Sequence, residues 1–103
     1  MTNHVRMGIY SITKGSYREL VEQAREGLAP ILRESPGFVF YSVTDPGGGR
    51  LVSVSTWETR EQAEAAAAKS AEWVGENMGD SIELQENLIG EMTTLAARDR
   101  SAV

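Results

Sequence analysis

The chain has 103 residues, no cysteine, and 15 acidic against 10 basic side chains for a formal net charge of −5, a length suited to one domain with a single core. An acidic chain of this kind is not drawn to nucleic acid or to an anionic membrane surface, and without cysteine it has neither disulfide nor thiol chemistry, in keeping with a reducing compartment. No basic-then-apolar leader opens the sequence and no apolar run approaches about 18 residues, so the expectation is a soluble, cytoplasmic protein.

Val5, Met7 and Ile9 alternate with Arg6, Gly8 and Tyr10, which predicts a first strand of about seven residues. After a turn at Thr13-Lys14-Gly15, Ser16 and Glu19 stand at the spacing of a capping box, and Leu20, Val21, Ala24, Leu28, Ile31 and Leu32 follow on one helical stripe. Gly27 and Pro30 interrupt that stripe. A proline inside an unrelieved helix costs about 3 kcal/mol, so a kink or a restart is expected there. Ser35-Pro36-Gly37 ends the helix, and Phe38 to Thr44 reads as a second strand with Val39, Tyr41 and Val43 against Phe38, Phe40 and Ser42. Asp45-Pro46-Gly47-Gly48-Gly49 is a hairpin turn rather than a phosphate loop, because no helix begins after it to hold an anion.

The third strand, Leu51 to Trp57, separates an aliphatic face (Val52, Val54, Thr56) from one of Leu51, Ser53, Ser55 and Trp57. Hydroxyls ending in an indole suit either a cavity wall or a solvated face. Thr59 and Gln62 form a second capping box, and Ala63, Ala66 and Ala67 give the next helix a smooth stripe, with an interruption expected at Lys69-Ser70 before Trp73, Val74 and Met78 continue it. Trp73 reads as core. The signal then weakens: a last strand is expected somewhere in Glu86–Leu95, and Ala96–Val103 as a frayed or partner-contacting tail.

Strand, helix, strand, strand, helix, strand is the βαββαβ order of a ferredoxin-like α+β domain, an antiparallel sheet with helices on one face. The other face, about 20 Å by 19 Å from strand rise and spacing, is then left bare. Phe38, Phe40, Leu51, Trp57 and Tyr10 are assigned to it here, and a second copy of the chain is expected to cover it, leaving a cavity between sheet and partner.

Several of these residues carry a resemblance: Ser35-Pro36-Gly37 closing the first helix, an aromatic hairpin, and Trp57-Glu58-Thr59-Arg60-Glu61-Gln62-Ala63 after the third strand. Over nearly its whole length the chain resembles the antibiotic biosynthesis monooxygenase superfamily, whose fold is a dimeric α+β barrel of two ferredoxin-like protomers. That resemblance implies a cofactor-independent oxygenase turning an electron-rich aromatic, an anthrone- or hydroquinone-like polyketide, into a quinone. Related oxygenases line their site with a tryptophan at the end of the third strand, matched by Trp57, and an asparagine four residues earlier, where this chain has Ser53. A hydroxyl there offers one rotatable donor in place of a planar amide. The superfamily's haem degraders carry a strand-one asparagine and a later histidine; Gly8 takes the first position here and no histidine follows His4.

The catalytic candidates are therefore Trp57, Ser53, Arg6 and Tyr10, with Phe38, Phe40 and Leu51 as substrate-binding residues. Arg6 and Tyr10 share a strand face with His4 and offer a cation and a phenol to a phenolic ligand; Arg6 also reads as a solvent-facing strand residue, Tyr41 as a core aromatic and His4 as an exposed strand-end residue. One histidine makes neither a triad nor a metal site, so no metal is expected, and the resemblance implies that no cofactor is needed. A homodimer that merely holds a small aromatic or apolar ligand is the alternative, and a polyketide cyclase a weaker one.

Overall fold

Ser16 and Thr59 each accept a hydrogen bond from the backbone N–H three residues on, while Glu19 and Gln62 reach back to the capping residues' own N–H groups, so both capping boxes close as the spacing demands. The computed structural model describes residues 2–98. Its elements are β1 (Asn3–Ile12), α1 (Tyr17–Glu26), α2 (Leu28–Arg33), β2 (Phe38–Thr44), β3 (Arg50–Trp57), α3 (Arg60–Asn77) and β4 (Ile82–Met92). The strands form one sheet in the order β2-β3-β1-β4 with every neighbouring pair antiparallel. This is the α+β, ferredoxin-like arrangement expected.

The interrupted first helix restarts as expected. Gly27 is at once the C-cap of α1 and the N-cap of α2, and a Cβ there would run into the indole of Trp73, so the break leaves room for that ring. Pro30 falls in the first turn of α2, where a missing N–H costs little. By contrast α3 runs unbroken through Lys69-Ser70: the lysine reaches out to Ser35 Oγ at 2.8 Å and the small Ser70 is buried. β1 is longer than expected because it is hydrogen-bonded on both sides, to β3 and β4. β4 begins at Ile82, ahead of the Glu86–Leu95 window, and ends at Met92. A register shift opposite Ile9 and Tyr10 breaks its period-2 pattern, which is why the sequence signal is weak there. Of the expected tail, residues 99–103 lie outside those described.

The core has two parts. Tyr10, Leu20, Ala24, Leu51, Met78 and Ile82 pack together under α1; Leu28, Leu32, Trp57, Ala63 and Ala66 pack under α2 and α3. Trp73 lies against both. Ala63 and Ala66 carry no bulk beyond a methyl group, which lets α3 approach the sheet closely.

The faces of the sheet are assigned the other way round from the sequence expectation. Tyr10, Leu51 and Trp57 are buried beneath the helices and Phe38 packs there with them; of the five residues assigned to the bare face, Phe40 alone lies on it. Phe38 and Phe40 part company because a register shift between them turns Phe38 inward against Trp57. The bare face consists of the rows Phe40–Thr56–Val5–Gly90, Ser42–Val54–Met7–Leu88 and Thr44–Val52–Ile9–Glu86, and Met7, Phe40 and Leu88 remain 36–46 % exposed. Hydrophobicity alone misleads here, since the strand face with the more aliphatic side chains is the one left open.

Candidate active site

Beneath the helices the paired strands set out four rows of side chains: Phe38–Trp57–His4–Glu91, then Tyr41–Ser55–Arg6–Ile89, then Val43–Ser53–Gly8–Asn87, then Leu51–Tyr10–Leu84. Alternation along β1 and β3 is enough to bring Arg6, Tyr10, Ser53 and Trp57 onto this one face.

Arg6 is 2 % exposed, not a solvent-facing residue. Its Nε donates to Asn87 Oδ1 at 2.7 Å and its Nη2 to the Tyr10 hydroxyl at 3.2 Å, with the guanidinium carbon 6.0 Å from the centre of the Tyr10 ring. Gly8 makes this possible: a Cβ there would stand 2.8 Å from Arg6 Nη2 and 2.9 Å from the Tyr10 ring. The ion pairs among the described residues, Glu22–Arg25 and Arg60–Glu64, are exposed, and none of the described carboxylates pairs with Arg6. Burying a charge carries a penalty of several kcal/mol that a good counter-ion repays; here two neutral oxygens and a π face stand in for one.

Trp57 is fully buried. Its indole N–H donates to Ser55 Oγ at 2.9 Å, and Phe38 meets it edge-on, with centroids 5.6 Å apart and planes at 74°. His4 is half-buried beside it rather than exposed, since its row neighbours Trp57 and Glu91 flank it, and its Nδ1 is buried with no partner among the described residues.

Between the sheet and α1 and α3 lies a cavity of about 30 Å³, walled by Tyr10, Tyr41, Leu51 and Ser53 below and by Leu20, Ala24, Val74 and Met78 above. That volume admits water and no ring system. Tyr41 lines it too, and its phenol is pushed above its ordinary range chiefly by burial; Tyr10 adds to the rise, while a hydrogen bond with Ser53 and the charge of Arg6 act against it. Tyr41 is therefore a donor that stays protonated.

Of the sequence-predicted residues, Tyr10, Ser53 and Leu51 line the cavity and Arg6 touches Tyr10. Trp57 and Phe38 share the face but sit at its far end, and Phe40 is on the opposite side of the sheet. The sequence alone does not mark Asn87, Gly8 or Ser55 as residues of this site. Asn87 lies where β4's pattern is broken, and Gly8 shows its purpose only once Arg6 is seen to fold over it. Among the described residues no three potential metal-ligating side chains cluster, and no helix is long and apolar enough to cross a membrane.

No protein-family model matches the sequence, and no curated protein matches it; the likenesses are structural. A monooxygenase from the gene ActVA-Orf6 of Streptomyces coelicolor, solved with the ligand nanaomycin D, superposes with a TM-score of 0.66 at 21 % identity over 94 % of this chain and 91 % of its own. SnoaB, a cofactor-independent oxygenase from Streptomyces nogalater, gives 0.65 at 14 % identity over 94 % and 97 %. A Chloroflexus aurantiacus J-10-fl protein proposed to be an antibiotic biosynthesis monooxygenase gives 0.67 at 19 % identity over 92 % and 97 %. At such identities the likeness is one of fold, and the fold is similar to that of these monooxygenases.

Proposed function

We propose that the chain is a cofactor-independent monooxygenase that oxidises an electron-rich aromatic of the anthrone or hydroquinone kind to a quinone. The observation that carries this reading is the enclosure of Tyr10, Ser53 and Tyr41, with Arg6 behind them, on one wall of an otherwise apolar cavity. Apolar walls with a few convergent polar groups are the usual make-up of a small-molecule site. SnoaB, a cofactor-independent oxygenase, has the same fold.

For an anthrone, the step balances without an outside reductant. Loss of a proton gives the enolate; an electron passes from it to dioxygen; the two radicals join through a new carbon–oxygen bond; and loss of water leaves the quinone. One dioxygen is consumed, with one oxygen atom in product and one in water. The protein's part is positioning and electrostatics. Because the Tyr10 oxygen already accepts from Arg6, its own O–H is directed to the substrate oxygen, and protonated Tyr41 supplies a second donor. A polycyclic ring is larger than this cavity and enters only as α1 moves off the sheet.

A homodimer is part of this proposal. The bare face is apolar at its centre (Val5, Met7, Ile9, Val52, Val54, Leu88), with Thr44, Ser42 and Glu86 at its edges, and is of the size that a monomer seldom leaves in water. A second copy presenting the same face buries both by two-fold symmetry.

Oxygen uptake by the purified protein with 1,8-dihydroxyanthrone, hydroquinones and catechols, without added cofactor, tests the reaction. Protein-dependent uptake with stoichiometric quinone is expected, lowered about a hundredfold in Tyr10→Phe, the low end for loss of one hydrogen-bond donor to a developing oxyanion. Binding of these aromatics with no uptake above buffer assigns the chain instead as a small-molecule-binding module, a reading that Ser53, in place of a planar amide, favours.

A further inference from the structure

We infer that the ligand of this cavity carries a negative charge on an oxygen of its aromatic framework, and that Arg6 is the group that receives it. The inference shares the cavity with the proposed function but not the reaction. A guanidinium has five N–H donors and keeps its charge when buried. In Arg6 the hydrogen bonds run from Nε to Asn87 and from Nη2 to Tyr10, both neutral acceptors. Arginine pairs most strongly with a carboxylate, on which its fork can close with two parallel bonds, and none of the described carboxylates is placed against Arg6. The counter-charge is left to arrive from outside.

Geometry gives it a place to arrive. Gly8 leaves the row between Ser53 and Asn87 empty of side chain, and the guanidinium lies across that gap. Ser53 and Tyr10 are both walls of the cavity, and the guanidinium stands 3.2 Å behind the Tyr10 hydroxyl, so an anionic oxygen lodged between them lies within reach of its charge. Asn87 is a positioning residue in this arrangement: by accepting from Nε it turns the fork toward Tyr10.

Calorimetric titration with 2-naphthoate, 2-naphthamide and 1,8-dihydroxyanthrone, the last on both sides of its ionisation, tests the inference. Wild type is expected to bind at least one anionic form tenfold or more tightly than its neutral counterpart. Preference for naphthoate identifies a carboxylate, and preference confined to the ionised anthrone identifies a phenolate or enolate. Arg6→Met, close in volume and uncharged, should remove the preference without lowering the unfolding temperature. Asn87→Asp, which supplies the missing carboxylate from within, should remove it as well with the fold intact. Equal affinity for charged and neutral forms overturns the inference, as does a preference that survives in either variant or an Arg6→Met protein that melts well below wild type. Oxygen uptake without charge preference sinks this inference and spares the proposed reaction; charge preference without oxygen uptake does the reverse.

Discussion

Replacing Ser55 by alanine removes one oxygen atom from the interior and leaves the Trp57 indole N–H, fully buried and now 2.9 Å from nothing that accepts, without a partner. The packing lost is small because the side chain is small. The cost is the stranded donor, about 1–3 kcal/mol, a sizeable share of the roughly 5–15 kcal/mol that holds a domain together. In a domain of this size each kcal/mol moves the midpoint by about 4–8 °C, so a fall of at least about 4 °C is expected. Trp57→Phe keeps a ring against Phe38 and removes the donor; in that background the further Ser55→Ala change strands nothing. A double-mutant cycle from urea unfolding, followed by far-ultraviolet circular dichroism, therefore reports a coupling of about 1 kcal/mol or more between the two sites. A Ser55→Ala protein within about 0.5 kcal/mol of wild type, with no coupling to Trp57→Phe, would refute the reading of these hydroxyls as a satisfied interior network.

Burial raises the Tyr41 phenol above its ordinary value near 10, so the unfolded chain loses that proton first: its contribution to stability is whole below about pH 10 and is lost as pH rises from there through the folded-state value. Tyrosinate absorbance on alkaline titration should lose its most alkaline step in Tyr41→Phe, and loss of an earlier step counts against the assignment. Met7→Glu places a charge at the middle of the bare face and should convert the dimer to a monomer in sedimentation equilibrium with little change in helix content; a wild-type protein that sediments as a monomer defeats the proposed dimer directly.

The element order, both capping boxes, the break at Gly27 and the whole of β2 are legible in the sequence because each is decided by near neighbours along the chain. The allocation of sheet faces is not. Period-2 alternation separates Val52 and Val54 from Ser53 and Ser55, but which set meets the helices depends on what lies across from it. Here Ala63 and Ala66 of α3 pack with Trp57, Leu28 and Leu32, and Arg6 folds over Gly8 on the same face. Arg6, Tyr10 and Ser53 are legible from strand alternation and from the resemblance, and the pairing of β1 with β3 brings them to one face. Asn87 and Gly8 are not legible because their roles exist only across strands: one lies next to a register shift, and the other is defined by the side chain that folds over it.

The sheet's inverted polarity also sets a trap for protein engineering. A redesign scored on conventional criteria would charge the exposed Met7, Phe40 and Leu88 and fill the space around Arg6 and Ser53 with aliphatic side chains, and each change would improve solubility or stability on paper. The product would be a more robust molecule in which the space beside Arg6 and Ser53 had been closed to any ligand.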